Sequence, residues 1–67
     1  MSNANQVETD LRNLSVGQKF VRKSFPKYGQ YVVLAMPEGS IGIQVQAQSG
    51  RIGELLAWER VVPTAAN

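Results

Sequence analysis

The chain of 67 residues contains no cysteine and no histidine. Without cysteine it can form neither a disulfide nor a thiolate zinc site. Without histidine it lacks the commonest metal ligand and the commonest general acid–base, so only a few scattered carboxylates remain for such chemistry. These absences exclude metalloenzymes of the usual kind and hydrolases with a catalytic triad. We therefore predict no metal and no cofactor.

Long apolar runs are also missing. No run approaches the ~20 residues that a membrane-spanning helix needs, and no signal peptide precedes the apolar segments. We therefore expect a soluble, cytoplasmic protein that has no membrane partner. A chain of this length buries only about 60% of its unfolded surface. A single marginally stable domain is expected, and self-association would add to its stability.

Five short apolar runs are present, and residues typical of turns, such as Pro37-Glu38-Gly39-Ser40, lie between them. The runs cover residues 19–22, 30–36, 41–47, 51–56 and 60–62. This spacing predicts an all-β domain, a single small five-stranded barrel. Residues 57–60 are too few for an α-helix and predict a 3-10 turn before the last strand. The pattern resembles SH3-like barrels, including Tudor modules.

The ends of the chain are predicted to lie outside this barrel. Residues 1–10 are polar and without periodicity, which indicates a disordered tail, and Ser2-Asn3-Ala4 resembles the remnant of an expression tag. The barrel then spans residues 11–63, and residues 64–67 form a C-terminal tail. Trp58, the single tryptophan, is expected to close one end of the barrel as a core residue.

A basic cluster surrounds the first strand. Lys19, Arg22, Lys23 and Lys27 are four of the seven cationic residues, and Phe25 and Tyr28 are interleaved with them. Cations that contact phosphates, beside rings on which bases stack, are typical of nucleic-acid binding. The candidate binding residues are Lys19, Arg22, Lys23, Lys27 and Tyr28. The alternative is a solvated strand whose lysines discourage edge pairing.

The second apolar run, residues 30–36, predicts an interface between copies of the chain. Its residues are apolar on both faces, and such a strand is usually covered on both sides, here by another chain or by a terminus that folds back. In the third run, glutamines alternate with apolar residues, so their amides share one face. These amides either bind a ligand or a second copy, or form an ordinary exposed face. The candidate oligomer-interface residues are Val32, Leu34, Met36, Gln44 and Gln46.

The chain also resembles the plasmid type B dihydrofolate reductases, which are SH3-like tetramers around a central pore. The likeness rests on residues 17–24, Tyr28-Gly29-Gln30, Pro37-Glu38-Gly39 and Ala57-Trp58-Glu59-Arg60-Val61. The resemblance implies that Arg22 or Lys23 stands for the pore lysine. It places the folate- and nicotinamide-binding strand at Ile52-Gly53-Glu54-Leu55, where the family's glutamine and tyrosine are missing. Four copies of Glu54 around one pore would repel an anionic cofactor.

Two functions follow from the sequence. The favoured one is a small non-catalytic module that self-associates and binds nucleic acid through the basic cluster. The alternative is a tetrameric pore protein that binds or reduces a folate-like molecule with NADPH. A net charge of +2 is compatible with a nucleic-acid partner, whereas the residues at 52–55 argue against the reductase.

Overall fold

The computed structural model describes residues 7–64, which form six antiparallel strands and two short 3-10 turns. The turns are Leu11–Asn13 and Pro26–Tyr28. The strands are β1 (Thr9–Asp10), β2 (Lys19–Arg22), β3 (Gln30–Ala35), β4 (Gly42–Ala47), β5 (Ile52–Leu56) and β6 (Arg60–Pro63). Among the described residues, no helix has the length and apolar character needed to cross a membrane.

All six strands belong to one sheet, in the order β1-β6-β2-β3-β4-β5. The all-β class is thus confirmed. Within residues 7–64 no ladder joins β5 to β1, so strand pairing does not close the sheet into a barrel. The bounds of β2 agree with the sequence prediction, and those of β3 to β6 agree within one residue.

The sixth strand is β1, a segment expected to belong to a disordered tail. Thr9 pairs with Val61, and Asp10 pairs with Arg60. The remainder of the two predicted tails, residues 1–6 and 65–67, lies outside the described residues. This strand could not be predicted from the polar sequence of the segment, because charged side chains make its contacts with β6 and no apolar alternation marks it.

The core contains Leu11, whereas Trp58 was predicted to close one end of the barrel as a core residue. Leu11 is completely buried, and Trp58 is 49% exposed. The first 3-10 turn explains the difference, because the N–H of Leu11 donates to the Glu59 carbonyl at 2.9 Å and holds the leucine against the core. The prediction that Trp58 is a core residue is therefore wrong. The buried side chains are Leu11, Phe20, Val33, Ile43, Val45 and Val61.

The connection from β5 to β6 is a single hydrogen-bonded turn. The N–H of Glu59 donates to the Leu56 carbonyl at 3.0 Å, which is the hydrogen bond of one 3-10 step. This single bond is too little to form a 3-10 turn, so the turn predicted for residues 57–60 is not formed. The two 3-10 turns of the described chain lie instead before β2 and between β2 and β3.

An irregularity in β3 changes which residues share a face. Val33 pairs with Val45, but the next pair is Ala35 with Gln44, so Leu34 has no partner in the ladder. Such a bulge reverses the alternation of side chains beyond it. Met36 consequently packs against the core. Met36 therefore does not share an outward face with Val32 and Leu34, and its role in an interface between copies stays a prediction.

Candidate nucleic-acid interface

Two exposed aromatic rings stack on each other in the loop between β2 and β3. The rings of Phe25 and Tyr28 lie 5.6 Å apart between centroids, with an interplanar angle of 17°. The 3-10 turn Pro26–Tyr28 produces this contact, because residues three apart eclipse each other in that geometry. Gly29 ends the turn with a φ of 79°, a left-handed conformation that glycine adopts without steric cost.

The guanidinium group of Arg22 packs against the Phe25 ring of this pair. Its Cζ lies 4.4 Å from the centroid of the Phe25 ring, and its Nε donates to Glu59 Oε2 at 2.9 Å. Burial lowers the pKa of Arg22, but hydrogen bonds to Glu59 and Tyr31 outweigh it and raise the pKa overall. The side chains of Arg22 and Glu59 are each only 18% exposed. Arg22 therefore positions Phe25 and is not available as a free cation for a ligand.

A groove of about 490 Å³ runs beside Tyr28. We name this surface the aromatic groove; it is lined by Tyr28, Tyr31, Ala47, Ser49 and Arg51. Tyr31 comes from β3, where its ring stacks on Phe20 at 5.5 Å, and Arg51 directly precedes β5. A smaller recess of about 190 Å³ shares Tyr31, Ala47 and Arg51 and reaches the outer edge of β5. The two tyrosines and one arginine thus line a continuous open surface.

The sequence prediction missed Arg51, which is distant from the basic cluster along the chain. The pairing of β3 with β4, with Tyr31 opposite Ala47, brings the β4–β5 turn beside Tyr31. A signal was present in the sequence, because Gln48-Ser49-Gly50 predicts a tight turn and such a turn places its flanking residues together. Only the strand register shows that this turn lies next to Tyr28.

The structure separates the predicted cationic residues. Lys27 lies beside Phe25 and Tyr28, in the lining of a shallow pocket of about 240 Å³. Lys23 Nζ lies 3.4 Å from Glu8 Oε1. Lys19 pairs across the sheet with Val32 and lines a different pocket with Gln46. Of the predicted set, only Tyr28 therefore lines the aromatic groove, and Lys27 lies beside it in the same loop.

Two of the three glutamines at positions 44, 46 and 48, on β4 and in the turn after it, are engaged within the chain. Gln46 Nε2 donates to the Gly50 carbonyl at 3.1 Å, and Gln48 Oε1 accepts from the Gln30 N–H at 3.1 Å. Gln44 is exposed and pairs across the sheet with Glu54. Val32 and Leu34 are half-buried. This face is consequently less apolar and less available than the sequence predicts, although self-association through it stays a prediction.

The positions that the reductase resemblance singles out do not form one site. Arg22 is engaged by Glu59, and Lys23 contacts Glu8. Glu54 lies on β5, and its carboxylate lies over Gly42, where an added Cβ would be 3.1 Å from Oε1. Within the single chain, the cation and the strand that the resemblance pairs therefore belong to different surfaces.

A group of ion pairs holds β1 against β6. Arg60 contacts Glu8 at 3.0 Å and Asp10 at 2.6 Å. Hydrogen bonding to Arg60 is the largest cause that lowers the pKa of each carboxylate below its ordinary value of 4.5 or 3.8. A carboxylate with a lowered pKa contributes stability above its unfolded pKa, and that contribution is lost as the pH falls through the folded pKa. These pairs therefore stabilise the fold at neutral pH and fail in acid.

We expect the melting temperature to fall below about pH 4.5 as Glu8 and Asp10 become protonated. Arg60→Gln should flatten this fall in part, since it removes the partner that both carboxylates share, while Glu8 keeps Lys23 and Asp10 keeps Arg12. Arg51→Gln is the matched control, because Arg51 takes part in no ion pair among the described residues. Differential scanning fluorimetry between pH 3 and 7 would measure all three proteins. Equal profiles for the parent and Arg60→Gln would contradict this assignment.

In comparisons with known proteins, no protein-family model, curated protein or solved structure matches the chain. In the part of the chain that the structure describes, no three acidic residues gather as a metal site would require.

Proposed function

We propose that this domain is a non-catalytic binding module that holds a single-stranded nucleic acid in the aromatic groove. The observation that carries the proposal is the convergence of Tyr28, Tyr31 and Arg51 on one open surface. Aromatic side chains stack on bases of any sequence, and cations beside them contact the phosphates. Single-stranded rather than duplex nucleic acid fits, because bases must be unpaired to stack on a ring.

The accessible cations limit the strength of this binding. Arg51 and Lys27 lie at the aromatic groove and its loop, whereas Arg22 and Arg60 are engaged by carboxylates. With two or three phosphate contacts, the logarithm of the affinity should fall with the logarithm of salt concentration with a slope of about −1.4 to −2.1. The proposal therefore predicts weak binding without strong sequence preference.

Fluorescence anisotropy of labelled oligo(dT) and oligo(U) at low salt tests the proposal. We expect saturable binding that weakens about seven- to twentyfold between 50 and 200 mM salt. Duplex DNA of the same length should bind less tightly, since its bases are not available for stacking. Absence of binding at low salt, or equal binding of duplex and single strands, would contradict the proposal. Saturable quenching of Trp58 fluorescence by NADPH would instead favour the reductase-like alternative.

A cytoplasmic location and an SH3-like relationship are part of the same proposal. The all-β sheet with its short connections supports the relationship, and an open sheet of this size provides the groove on which the function depends. The proposal needs no cofactor.

A further inference from the structure

The outer edge of β5 carries backbone groups that no other described strand pairs. β5 is the last strand of the sheet and pairs only with β4. The N–H of Ala47 donates to the Arg51 carbonyl, and the N–H of Ala57 donates to the Ile41 carbonyl, both at 2.8 Å. Because hydrogen-bonding direction alternates along an antiparallel strand, Ile52 and Glu54 direct their N–H and carbonyl groups away from β4.

This edge lacks two of the residue types that usually prevent strand association, and Glu54 is its one charged residue. The segment Ile52–Leu56 contains neither lysine nor proline, and both residue types protect exposed edges. Ile52 is 57% exposed, and Leu56 is also exposed. The opposite edge differs, since β1 has only two residues and Asp10 is held in an ion pair with Arg60. Association is therefore expected at β5 and not at β1.

A second copy of β5 fits this edge. In an antiparallel pair about a two-fold axis, opposed side chains lie on the same face, so the axis passes through a residue position. An axis at Gly53 opposes the two glycines, where nothing in the chain lies within 4 Å of an added Cβ. Ile52 then lies opposite Glu54 of the partner subunit, and both residues pair through their free backbone groups. An axis at Glu54 would oppose two carboxylates, which is unfavourable.

We infer that the chain forms a homodimer in which β5 pairs antiparallel with the partner's β5, centred on Gly53. The two sheets become one continuous sheet. The interface adds to a small core, in which six side chains of residues 7–64 are buried. This inference goes beyond nucleic-acid binding and does not depend on it.

Light scattering coupled to gel filtration, without nucleic acid, tests the dimer. We expect a mass twice the chain mass of 7.3 kDa. Glu54→Pro should give a folded monomer, because it removes an N–H that the chain's own sheet does not use. Glu54→Gln is the matched control and should remain dimeric, since it keeps that N–H. Circular dichroism would show whether each variant is folded.

The register is tested at Ile52. Ile52→Glu opposes two like charges with Glu54 of the partner subunit and should weaken the dimer at least tenfold, whereas Ile52→Lys opposes unlike charges and should keep it. The double variant Ile52→Glu with Glu54→Lys should restore the dimer. If Glu54→Pro fails to fold, these Ile52 variants still test whether the dimer forms through β5. A monomeric parent, or a dimer that none of these substitutions weakens, would overturn the inference.

Discussion

Leu11→Ala is expected to lower the free energy of unfolding by about 2–5 kcal/mol, the usual cost of truncating a buried leucine. Leu11 is completely buried among the core residues. A domain of this size has a total stability of about 3–10 kcal/mol, at 0.05–0.15 kcal/mol per residue. The substitution should therefore unfold a substantial part of the population. Urea denaturation followed by circular dichroism would measure the loss.

Trp58→Ala is the matched comparison for Leu11→Ala. Although tryptophan is the larger side chain, Trp58 is 49% exposed, and we expect a loss of about 1 kcal/mol or less. From the sequence alone, Trp58→Ala would be expected to cause the greater loss of stability, because Trp58 was predicted to be a core residue. A greater loss for Trp58→Ala than for Leu11→Ala would contradict the arrangement of the core.

Tyr28→Ala is expected to weaken binding of a single-stranded oligonucleotide by about 1–3 kcal/mol, the contribution of one base–aromatic stack. This corresponds to a decrease in affinity of about five- to 150-fold. Tyr28 is 57% exposed, so its removal should leave the fold intact. Tyr28→Phe should retain most of the affinity, because it keeps the ring and removes only the hydroxyl group.

Trp58→Ala is the control for this experiment as well. Trp58 is an exposed aromatic residue that does not line the aromatic groove. It should leave oligonucleotide affinity within about twofold of the parent. Equal losses for Tyr28→Ala and Trp58→Ala would indicate nonspecific adsorption to exposed rings.

The apolar runs predicted β2 to β6 well, because each of these strands places at least one apolar side chain in or against the core; β1 has no such pattern. In β4, for example, Ile43 and Val45 are buried, while Gln44 between them is exposed. The bulge at Leu34 could not be predicted in this way, since residues 30–36 are apolar on both faces. With two equally apolar faces, the pattern does not show where the alternation reverses, and Met36 was assigned to the wrong face.

The candidate site was predicted only in part, because its residues converge through strand register. Lys27 and Tyr28 are close in sequence and remain close in the fold. Arg51 joins Tyr28 through the pairing of β3 with β4, and Arg22 is neutralised by Glu59, which is far along the chain. Proximity in sequence therefore overestimated the number of available cations and missed one cation of the groove.

The most direct test of the proposed function is a map of amide chemical shifts as a ¹⁵N-labelled protein is titrated with a single-stranded oligonucleotide at low salt. We expect the largest changes at Tyr28, Tyr31 and Arg51. Lys19 and Gln46 line a neighbouring pocket that shares only Tyr31 with the aromatic groove, and they should change little. Changes centred on Lys19 and Gln46, or no changes at all, would contradict binding in the aromatic groove.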